Sequence, residues 1–371
     1  MIDLNDTQAI QARDPEGMLW HIASLPDQCE AAWRDAQAID LPESFREARQ
    51  VVIAGMGGSA IGGALFQSLA ASHMRIPVHV VRDYTLPAFA EGPSTLVIAS
   101  SYSGDTEETL AAFQEARARR CQLMAIAAGG RLEAMARQFG AAFMRVAYES
   151  MPRAALGYSF VPLAAFASRL GWLDDPSAHP SALRLRSGQA SLRASLEEAT
   201  AVMRGWNAEL VPESPVVKNL AKRMAGQMVG RFVIVYGAGL FAEVARRWKG
   251  QVNENGKQFA AFEALPEADH NAILGSSYPE GMANHLKVIF LTGVSDHPRN
   301  RARVEISRQV LMVQGCDTDV LAARGESPLA QMLSLIQLGD WISGYLGIAN
   351  GVDPSDTELL LEFKRRMAEL G

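Results

Sequence analysis

Short, continuous apolar runs recur along this chain, and most of them lead through a turn into a helical pattern. In the first half these runs are Val51–Gly55, Val78–Arg82, Thr95–Ser100, Leu123–Ala127 and Ala142–Val146. Strands that are apolar along their whole length and alternate with helices are typical of a parallel sheet with both faces covered. The pattern therefore predicts an α/β fold with a doubly wound, mainly parallel sheet.

The same alternation resumes in the second half of the chain. Phe232–Tyr236 and Lys287–Thr292 predict further strands, Val304–Ile306 predicts a short one, and the pattern leaves the type of Val310–Val313 open. In both halves, a strand followed by Gly-x-Gly precedes a strand followed by Ser or Thr. This shared order suggests a duplicated α/β unit.

The length of 371 residues suits two domains. Helical spacing over residues 15–48, with Pro26 between two helices, predicts packing helices ahead of the first strand. The sequence turns polar between Leu173 and Ser214, where we expect a domain junction. The predicted division is N-terminal packing helices at 1–45, a first domain at 46–175, and a second domain at 200–371 that ends in a helix.

Composition argues against several kinds of partner. The net charge of −6 and the absence of a Lys and Arg run argue against nucleic acid. The three cysteines are isolated, which favours a reducing compartment, and the seven histidines lack metal-site spacing. There is no apolar run of the roughly 20 residues that a membrane span needs. We therefore expect a cytoplasmic protein without metal, nucleic acid or membrane.

Two turns combine glycines and hydroxyl groups at the ends of predicted strands. The first is Gly55-Met-Gly-Gly-Ser59, and the second is Ser100-Ser-Tyr-Ser103-Gly-Asp-Thr106. Each precedes a helical pattern, and the start of a helix supplies unpaired N–H groups and a positive dipole end. These turns predict a site for a phosphorylated small molecule in the first half, because the second half lacks comparable hydroxyl-rich loops.

Alternatives to a phosphate site exist for both turns. Gly55-x-Gly57-x-x-Ala60, with Asp83 after the next strand, also fits the fingerprint of a nicotinamide-dependent dehydrogenase. In the second turn, Asp105 or Thr106 is expected to cap the following helix, with Glu108 completing a capping box. The second turn has no place in a simple nucleotide site and is the better evidence for a phosphate.

A carboxylate near the end of a predicted helix is the candidate general base. Glu254 lies between Asn253 and Asn255, whose side chains disfavour a helix interior, and it shares a helix face with Arg247 and Gln251. An exposed, charged helix end is the usual meaning of such a segment. The combination of amides, cations and one carboxylate favours a catalytic role instead.

Three further residues carry groups that chemistry on an anion needs. Arg153 precedes an apolar helix, where a cation opposes the dipole and an anion would explain it. His270 follows Pro266 in a break between elements, and a lone histidine is more often structural than catalytic. Lys364 lies on a final helix that the Asp353–Thr357 segment caps, where a lysine is ordinarily solvated.

Taken in order, these motifs resemble the bifunctional phosphoglucose/phosphomannose isomerase family, whose members are built from two sugar isomerase (SIS) domains. The resemblance covers nearly the whole chain and rests on Leu25-Pro-x-Gln28, Gly57-Gly-Ser59, Ser101-x-Ser103-x-x-Thr106, Pro152-Arg153, Arg247-Trp-Lys, Asn253-Glu-Asn255, His270-Asn271 and Lys364. The chain departs from the family pattern at Ala268-Asp269, where the family has Leu-Asn. A stretch around residues 176–195 resembles an insertion.

The resemblance implies an aldose–ketose isomerase that interconverts glucose 6-phosphate, and mannose 6-phosphate, with fructose 6-phosphate through a cis-enediol, without a cofactor. It implies a homodimer in which His270 reaches into the partner's site. The implied substrate contacts are Gly57, Gly58 and Thr357 for the sugar phosphate, Ser59, Ser101, Ser103 and Thr106 for its phosphate, Glu254 as base, Arg153 beside the enediolate, and His270 and Lys364 for ring opening. The alternative is a non-catalytic SIS protein that senses a sugar phosphate.

Overall fold

A computed structural model describes residues 2–173 and 189–369 of the chain. Most of the stretch that resembles an insertion, residues 176–188, lies outside the described residues. Within the described part, no helix is both long and apolar enough to cross a bilayer.

The first half begins with helices and continues as alternating strands and helices. Its elements are α1 (Thr7–Arg13), α2 (Met18–Ala23), α3 (Leu25–Ala38), β1 (Gln50–Ala54), α4 (Gly57–Ala70), β2 (Val78–Val81), β3 (Thr95–Ser100), α5 (Glu107–Ala118), β4 (Gln122–Ala127), α6 (Gly130–Phe139), β5 (Ala142–Arg145) and α7 (Leu156–Arg169). The five strands lie where the apolar runs predict them, and the three central strands β1, β3 and β4 are buried on both faces. A 3₁₀ turn, Pro152–Ala154, precedes α7.

The second half repeats this plan with one strand fewer. Its elements are α8 (Gln189–Leu210), α9 (Leu220–Met228), β6 (Phe232–Ala238), α10 (Ala242–Glu254), β7 (Ala260–Leu265), β8 (Leu286–Thr292), α11 (Pro298–Val313), β9 (Asp317–Ala322), α12 (Pro328–Ala349) and α13 (Glu358–Ala368). Short 3₁₀ segments connect several of them, including Glu267–His270 after β7.

Both sheets are parallel and share one strand order. The first runs β2-β1-β3-β4-β5 and the second β7-β6-β8-β9, so in each sheet the first and third strands of the sequence are central neighbours. Ala54 of β1 is aligned with Ala99 of β3, so the loops after these strands leave the sheet side by side. This topology agrees with the predicted duplication and confirms the α/β fold class.

The core lies between the two sheets and on their outer faces. Val51 and Ile53 of β1 face a central hydrophobic core, whereas Val52 and Ala54 face a second cluster beneath α5 and α6. This alternation follows from the two-residue period of a strand. Helix α12 runs through the central core and contacts α8, α9 and α10, and every residue from Leu329 to Ala349 is buried.

One strand assignment in the second half is wrong. Val304–Ile306 does not form a strand but lies in α11, and so does Val310–Val313, whose type the sequence pattern left open. The buried residues of this helix, Val304, Ser307 and Leu311, are spaced three and four apart, which is the period of a helix face. The missed strands, β7 and β9, contain alanine or aspartate at half of their positions and lack the apolar run that marks the others.

The polar region between Leu173 and Ser214 contains a long helix. Helix α8 packs against α3 and α12 and buries one face, with Leu192, Leu196, Ala199, Met203 and Trp206 among its buried residues. The segment is therefore an amphipathic helix over residues 189–210, not only a junction. The predicted domain boundaries stay a prediction.

Candidate active site

The loop after β1 brings a helix start against the turn that carries Arg153. Helix α4 begins at Gly57 without a side-chain cap, and Ser59 is buried with its Oγ accepting from the Tyr102 N–H at 3.3 Å. A Cβ on Gly58 would lie 2.6 Å from the Pro152 carbonyl oxygen. Only glycine permits this approach, which places the first turn of α4 beside Arg153.

The loop after β3 gathers hydroxyl groups next to the same helix start. Ser101 Oγ and Thr106 Oγ1 are 2.8 Å apart, and Ser101 Oγ also accepts from the Gly104 N–H at 3.1 Å. Ser103 is exposed, and its Oγ accepts from the Asp105 N–H at 3.2 Å. The structure thus brings the hydroxyl groups of two loops to one edge of the first sheet.

The capping prediction for this loop is half correct. Thr106 is the N-cap residue of α5, but its hydroxyl bonds to Ser101 and makes no cap hydrogen bond. Asp105 accepts from the Arg131 N–H at 3.0 Å, so it serves α6 instead, and the expected capping box with Glu108 is not formed. The first N–H groups of α5 therefore keep their capacity to bind an anion.

Arg153 is a buried cation in the Pro152–Ala154 turn. Its side chain is 3% exposed, and burial lowers the pKa of its guanidinium, while the nearby Glu254 carboxylate raises it. Nε donates to Asn255 Oδ1 at 2.8 Å, and Nη2 donates to the Pro354 and Ser355 carbonyls at 2.8 and 3.0 Å. These hydrogen bonds join the two halves of the chain at one guanidinium.

The remaining nitrogen of this guanidinium faces the predicted base. Nη1 of Arg153 lies 3.7 Å from Glu254 Oε2, and the Glu254 side chain is 44% exposed. Glu254 is the last residue of α10 and Asn255 is its C-cap, as the two asparagines predicted. A buried cation and an accessible carboxylate thus lie side by side, which suits proton transfer next to a developing negative charge.

The segment behind Glu254 is not an exposed, charged helix end. Arg247 and Gln251 are each 3% exposed and contact Asp340 of α12. Arg247 Nη2 donates to Asp340 Oδ2 at 2.6 Å and Gln251 Nε2 donates to Asp340 Oδ1 at 3.0 Å, while Arg247 also donates to the Arg153 carbonyl at 3.2 Å. Burial raises the pKa of Asp340, whereas the charge and hydrogen bond of Arg247 lower it.

Lys257 is a site residue that the sequence analysis did not identify. Its Nζ donates to the carbonyl of Glu254, and to that of Pro354 at 3.1 Å, and its φ of 50° is left-handed. Burial lowers the pKa of Lys257, and the charge of Arg153 lowers it further. A positive φ at a residue other than glycine was the kind of feature that a pattern search does not detect.

Gln28 is a second connection to the Arg153 turn. Its Nε2 donates to the Ala154 carbonyl at 2.8 Å and to Ser24 Oγ at 3.1 Å, and the side chain is 2% exposed. The N-terminal helix α3 therefore helps to hold the turn. The family motif that contains Gln28 was the only sequence signal for this contact.

The C-terminal residues Thr357 and Lys364 line one cavity. This cavity has a volume of about 980 Å³ and is also lined by Asp353, Ser355 and Met151. Thr357 is the N-cap of α13, and its side chain makes no cap hydrogen bond. Helix α13 has no buried residue, and Leu359 is 88% exposed.

His270 lies at the carboxyl edge of the second sheet, in the segment that follows β7. It is exposed, and its neighbour Asp269 pairs with Arg303 at 2.8 Å and accepts from Ser307 Oγ at 2.7 Å. Over residues 2–173 and 189–369, no hydrogen bond or ion pair joins His270 to Glu254. His270 is therefore not bonded to the predicted base within one chain.

The described residues offer little for binding a metal ion or a dinucleotide. The described residues contain no cluster of three or more His, Cys, Asp or Glu side chains that would hold a metal ion. Asp83, the acid of the dinucleotide alternative, is exposed and accepts from the N–H of Tyr84 at 2.7 Å.

Comparison with known proteins identifies close relatives. Residues 217–367 match the family described as bacterial phospho-glucose isomerase C-terminal SIS domain. The chain is 36% identical to a bifunctional phosphoglucose/phosphomannose isomerase of Caldicellulosiruptor bescii, covering 95% of this chain and 99% of the relative. It is 33% identical to the enzyme of that name from Aquifex aeolicus, covering 88% and 93%.

A solved structure shows the same fold at lower identity. It is the tagatose-6-phosphate ketose/aldose isomerase from Escherichia coli, with a TM-score of 0.65, 16% identity, and coverage of 91% of this chain and 94% of that one. At this identity the likeness concerns the fold alone.

Proposed function

The chain belongs to the bifunctional phosphoglucose/phosphomannose isomerase family, and we propose that it interconverts glucose 6-phosphate and mannose 6-phosphate with fructose 6-phosphate. The observation that carries this function is the pairing of the buried Arg153 guanidinium with the accessible Glu254 carboxylate at 3.7 Å. Moving a proton between C1 and C2 needs a carboxylate base and a cation beside the oxyanion that forms. The reaction passes through a cis-enediol and needs no redox cofactor.

The phosphate is held at the carboxyl edge of the first sheet. Ser59, Ser101, Ser103 and Thr106 donate to its oxygens, and the first N–H groups of α4 and α5 add the positive ends of two helices. Gly57 and Gly58 allow the ligand to approach the backbone. Anchoring the phosphate holds C1 and C2 in register with the base.

Glu254 transfers the proton between C2 and C1. Its 44% exposure leaves the carboxylate open to a substrate, and its position at the end of α10 directs it toward Arg153. Nη1 of Arg153 stabilises the negative charge that develops on the enediolate oxygens. The base therefore removes a proton from carbon, and the cation stabilises the negative charge that this leaves on the intermediate.

The cyclic sugar is opened by Lys364 and His270. Lys364 lines the 980 Å³ cavity with Thr357, which contacts a sugar hydroxyl. We propose that His270 comes from the other subunit of a homodimer. This is supported by the exposure of His270 and by the large exposed apolar side chains that follow it, Leu274 at 76% and Tyr278 at 81%.

A sensor that binds a sugar phosphate without reacting is less well supported. Such a protein needs the hydroxyl-rich loops, but it does not need a buried cation paired with an accessible carboxylate.

The three cysteines are free and buried, which supports the reducing environment of the cytoplasm.

The Glu254→Gln variant tests the proposed function. We expect turnover of both glucose 6-phosphate and mannose 6-phosphate to fall by about 10³-fold, since the amide is not a base, while binding of fructose 6-phosphate stays within about threefold. Coupled assays measure turnover and calorimetric titration measures binding.

The matched control is Glu197→Gln, which removes an exposed carboxylate on α8 that pairs with Arg193 at 2.9 Å. This variant is expected to keep full activity. An active Glu254→Gln enzyme would rule out Glu254 as the base, and turnover of neither sugar phosphate by the unaltered protein would rule out the isomerase.

A further inference from the structure

Three charged side chains are buried behind the site, and their charges do not cancel. Arg153 and Arg247 are each 3% exposed and Asp340 is 4% exposed. The charge of Asp340 is balanced by Arg247. Its two carboxylate oxygens accept hydrogen bonds from Arg247 and Gln251 at 2.6 and 3.0 Å. Arg153 thus has no buried counter-charge among the described residues, because the carboxylate that pairs with it, Glu254 at 3.7 Å, is 44% exposed. Burying a cation whose counter-charge stays in contact with solvent is costly, which indicates a function for it.

In the part of the chain that the structure describes, the hydrogen-bond acceptors of Arg153 are neutral. A guanidinium has five N–H groups, and here three of them donate to Asn255 Oδ1 and to the carbonyls of Pro354 and Ser355. The two N–H groups of Nη1 have no neutral acceptor within residues 2–173 and 189–369, and Nη1 lies 3.7 Å from Glu254 Oε2. Neutral acceptors orient the guanidinium without reducing its charge.

Asn255 is held in the orientation that this contact requires. It is fully buried, its Nδ2 donates to Ser343 Oγ at 3.1 Å, and Ser343 Oγ donates to the Asp340 carbonyl at 2.8 Å. Because the single hydroxyl hydrogen of Ser343 is used on Asp340, Ser343 acts as an acceptor toward Asn255. The amide nitrogen therefore lies at Ser343, and the amide oxygen is left for Arg153 Nε.

We infer that Asn255 is a positioning residue for the isomerisation: it holds the Arg153 guanidinium with Nη1 toward Glu254, and its neutrality keeps the charge available for the enediolate. An aspartate has the same shape and is the usual partner of a buried arginine. It would neutralise the cation that the intermediate needs. This inference rests on the proposed function and adds the requirement for an amide at position 255.

The Asn255→Asp variant, with Asn255→Ala beside it, tests this inference. Asn255→Asp is expected to lower kcat by about 100-fold and Asn255→Ala by about 10-fold, both with KM for fructose 6-phosphate within about threefold. The first variant neutralises the cation, whereas the second only releases it. Circular dichroism and thermal melting establish that each variant is folded.

Binding of two inhibitors separates this role from a structural one. Arabinonate 5-phosphate carries a carboxylate where the enediolate charge develops, and glucitol 6-phosphate carries only hydroxyl groups there. Asn255→Asp is expected to weaken the binding of arabinonate 5-phosphate by about tenfold or more. The affinity for glucitol 6-phosphate is expected to stay within about threefold of that of the unaltered enzyme. Equal loss for both inhibitors would overturn the inference.

Asn350→Asp is the matched control, because it is also an asparagine-to-aspartate change. Asn350 follows α12 and contacts the segment after α10, but in the described part of the chain it forms no hydrogen bond with Arg153. Asn350 Nδ2 donates to the Gly256 carbonyl at 2.9 Å and to Gln258 Oε1 at 3.2 Å. Its kcat is expected to stay within about threefold of the unaltered enzyme.

The outcomes also separate this inference from the proposed function. An Asn255→Asp or Asn255→Ala enzyme with unaltered kcat would overturn the inference, provided that Glu254→Gln is inactive. If Asn255→Asp does not fold, unaltered kcat in Asn255→Ala still overturns the positioning role. An active Glu254→Gln enzyme would instead remove the proposed function on which the inference rests.

Discussion

The carboxyl edges of the two sheets share a strand order but are filled differently. At the first edge, Ser101 and Thr106 present hydroxyl groups beside two uncapped helix starts. At the second edge, the equivalent loop after β8 donates hydrogen bonds to a carboxylate within the same loop. Asp296 Oδ2 accepts from Thr292 Oγ1 at 2.9 Å and from the Gly293 N–H at 3.2 Å.

The difference shows that one topology can carry loops with an internal carboxylate partner and loops without one. A Cβ on Gly293 would meet the ring of Phe241 at 2.7 Å and Gln331 Oε1 at 2.5 Å, so side chains occupy the space above the second edge. The first edge has no internal carboxylate in contact with the hydroxyls of Ser101 and Thr106 among the hydrogen bonds of the described residues. An anion from outside is therefore expected at the first edge, and the protein supplies its own at the second.

The largest expected effect tests what the second edge contributes to the reaction. If His270 acts in the partner's site, mixing and re-associating the inactive Glu254→Gln and His270→Ala variants restores activity. Half of the randomly formed dimers are mixed, and each mixed dimer has one intact site, so we expect about a quarter of the activity of the unaltered enzyme. Isomerisation of fructose 6-phosphate after subunit exchange measures it.

Each variant re-associated with itself is the control and is expected to stay inactive. A mixture that also stays inactive, after exchange has been verified by mass spectrometry, would show that His270 does not act across an interface. His270 would then be needed within its own chain.

The next effect compares one substitution at the two edges. Thr106→Val removes a hydroxyl from the first edge and is expected to raise KM for fructose 6-phosphate by 10- to 100-fold, or about 1.5–3 kcal/mol, the usual worth of a hydrogen bond to a charged group. Thr292→Val makes the same change at the second edge. We expect it to leave KM unchanged and to lower the free energy of unfolding by about 1 kcal/mol.

Steady-state kinetics and denaturant unfolding of both variants measure these effects. A rise in KM for Thr292→Val as large as that for Thr106→Val would contradict the division of roles between the edges.

The smallest effect concerns the internal carboxylate of the second edge. Burial raises the pKa of Asp296 from 3.8 to about 6, although hydrogen bonds from Thr292 and Gly293 and the charge of Arg301 lower it. The folded protein then binds more protons than the unfolded chain between about pH 4 and 6, so the ionisation of Asp296 reduces stability as pH rises through this window. The Asp296→Asn variant has no ionisable group at this position, so it does not lose stability in this way as pH rises.

The unfolding free energy of the unaltered protein, relative to that of Asp296→Asn, is therefore expected to fall by about 1–2 kcal/mol from pH 4 to pH 7. Unfolding with guanidinium chloride at several pH values measures this free energy. At pH 7 the kcat and KM of Asp296→Asn are expected to equal those of the unaltered protein. Parallel stability curves for the two proteins would show that Asp296 does not titrate in this range.

The parts of the site that lie within one loop or one helix were predictable. Ser101, Ser103 and Thr106 follow an apolar strand, and the asparagines around Glu254 mark a helix end, because both signals depend on near neighbours in the chain. The roles of their partners were not predictable in the same way. Residues 247 and 251 were expected to share a helix face with Glu254, but their buried partner Asp340 was not predicted, because it is about 90 residues away in the sequence.

By itself, the sequence determined the α/β class, the strands of the first sheet, the hydroxyl-rich loops and the end of the helix at Glu254. Each depends on a local period or on a turn residue whose backbone preference acts over a few positions. Only the tertiary structure decided that Arg153 lies against Glu254 and Asn255, and that the second edge is closed by Asp296. These contacts join segments that are distant in the chain or depend on burial, and packing of the whole core sets which charges are removed from water.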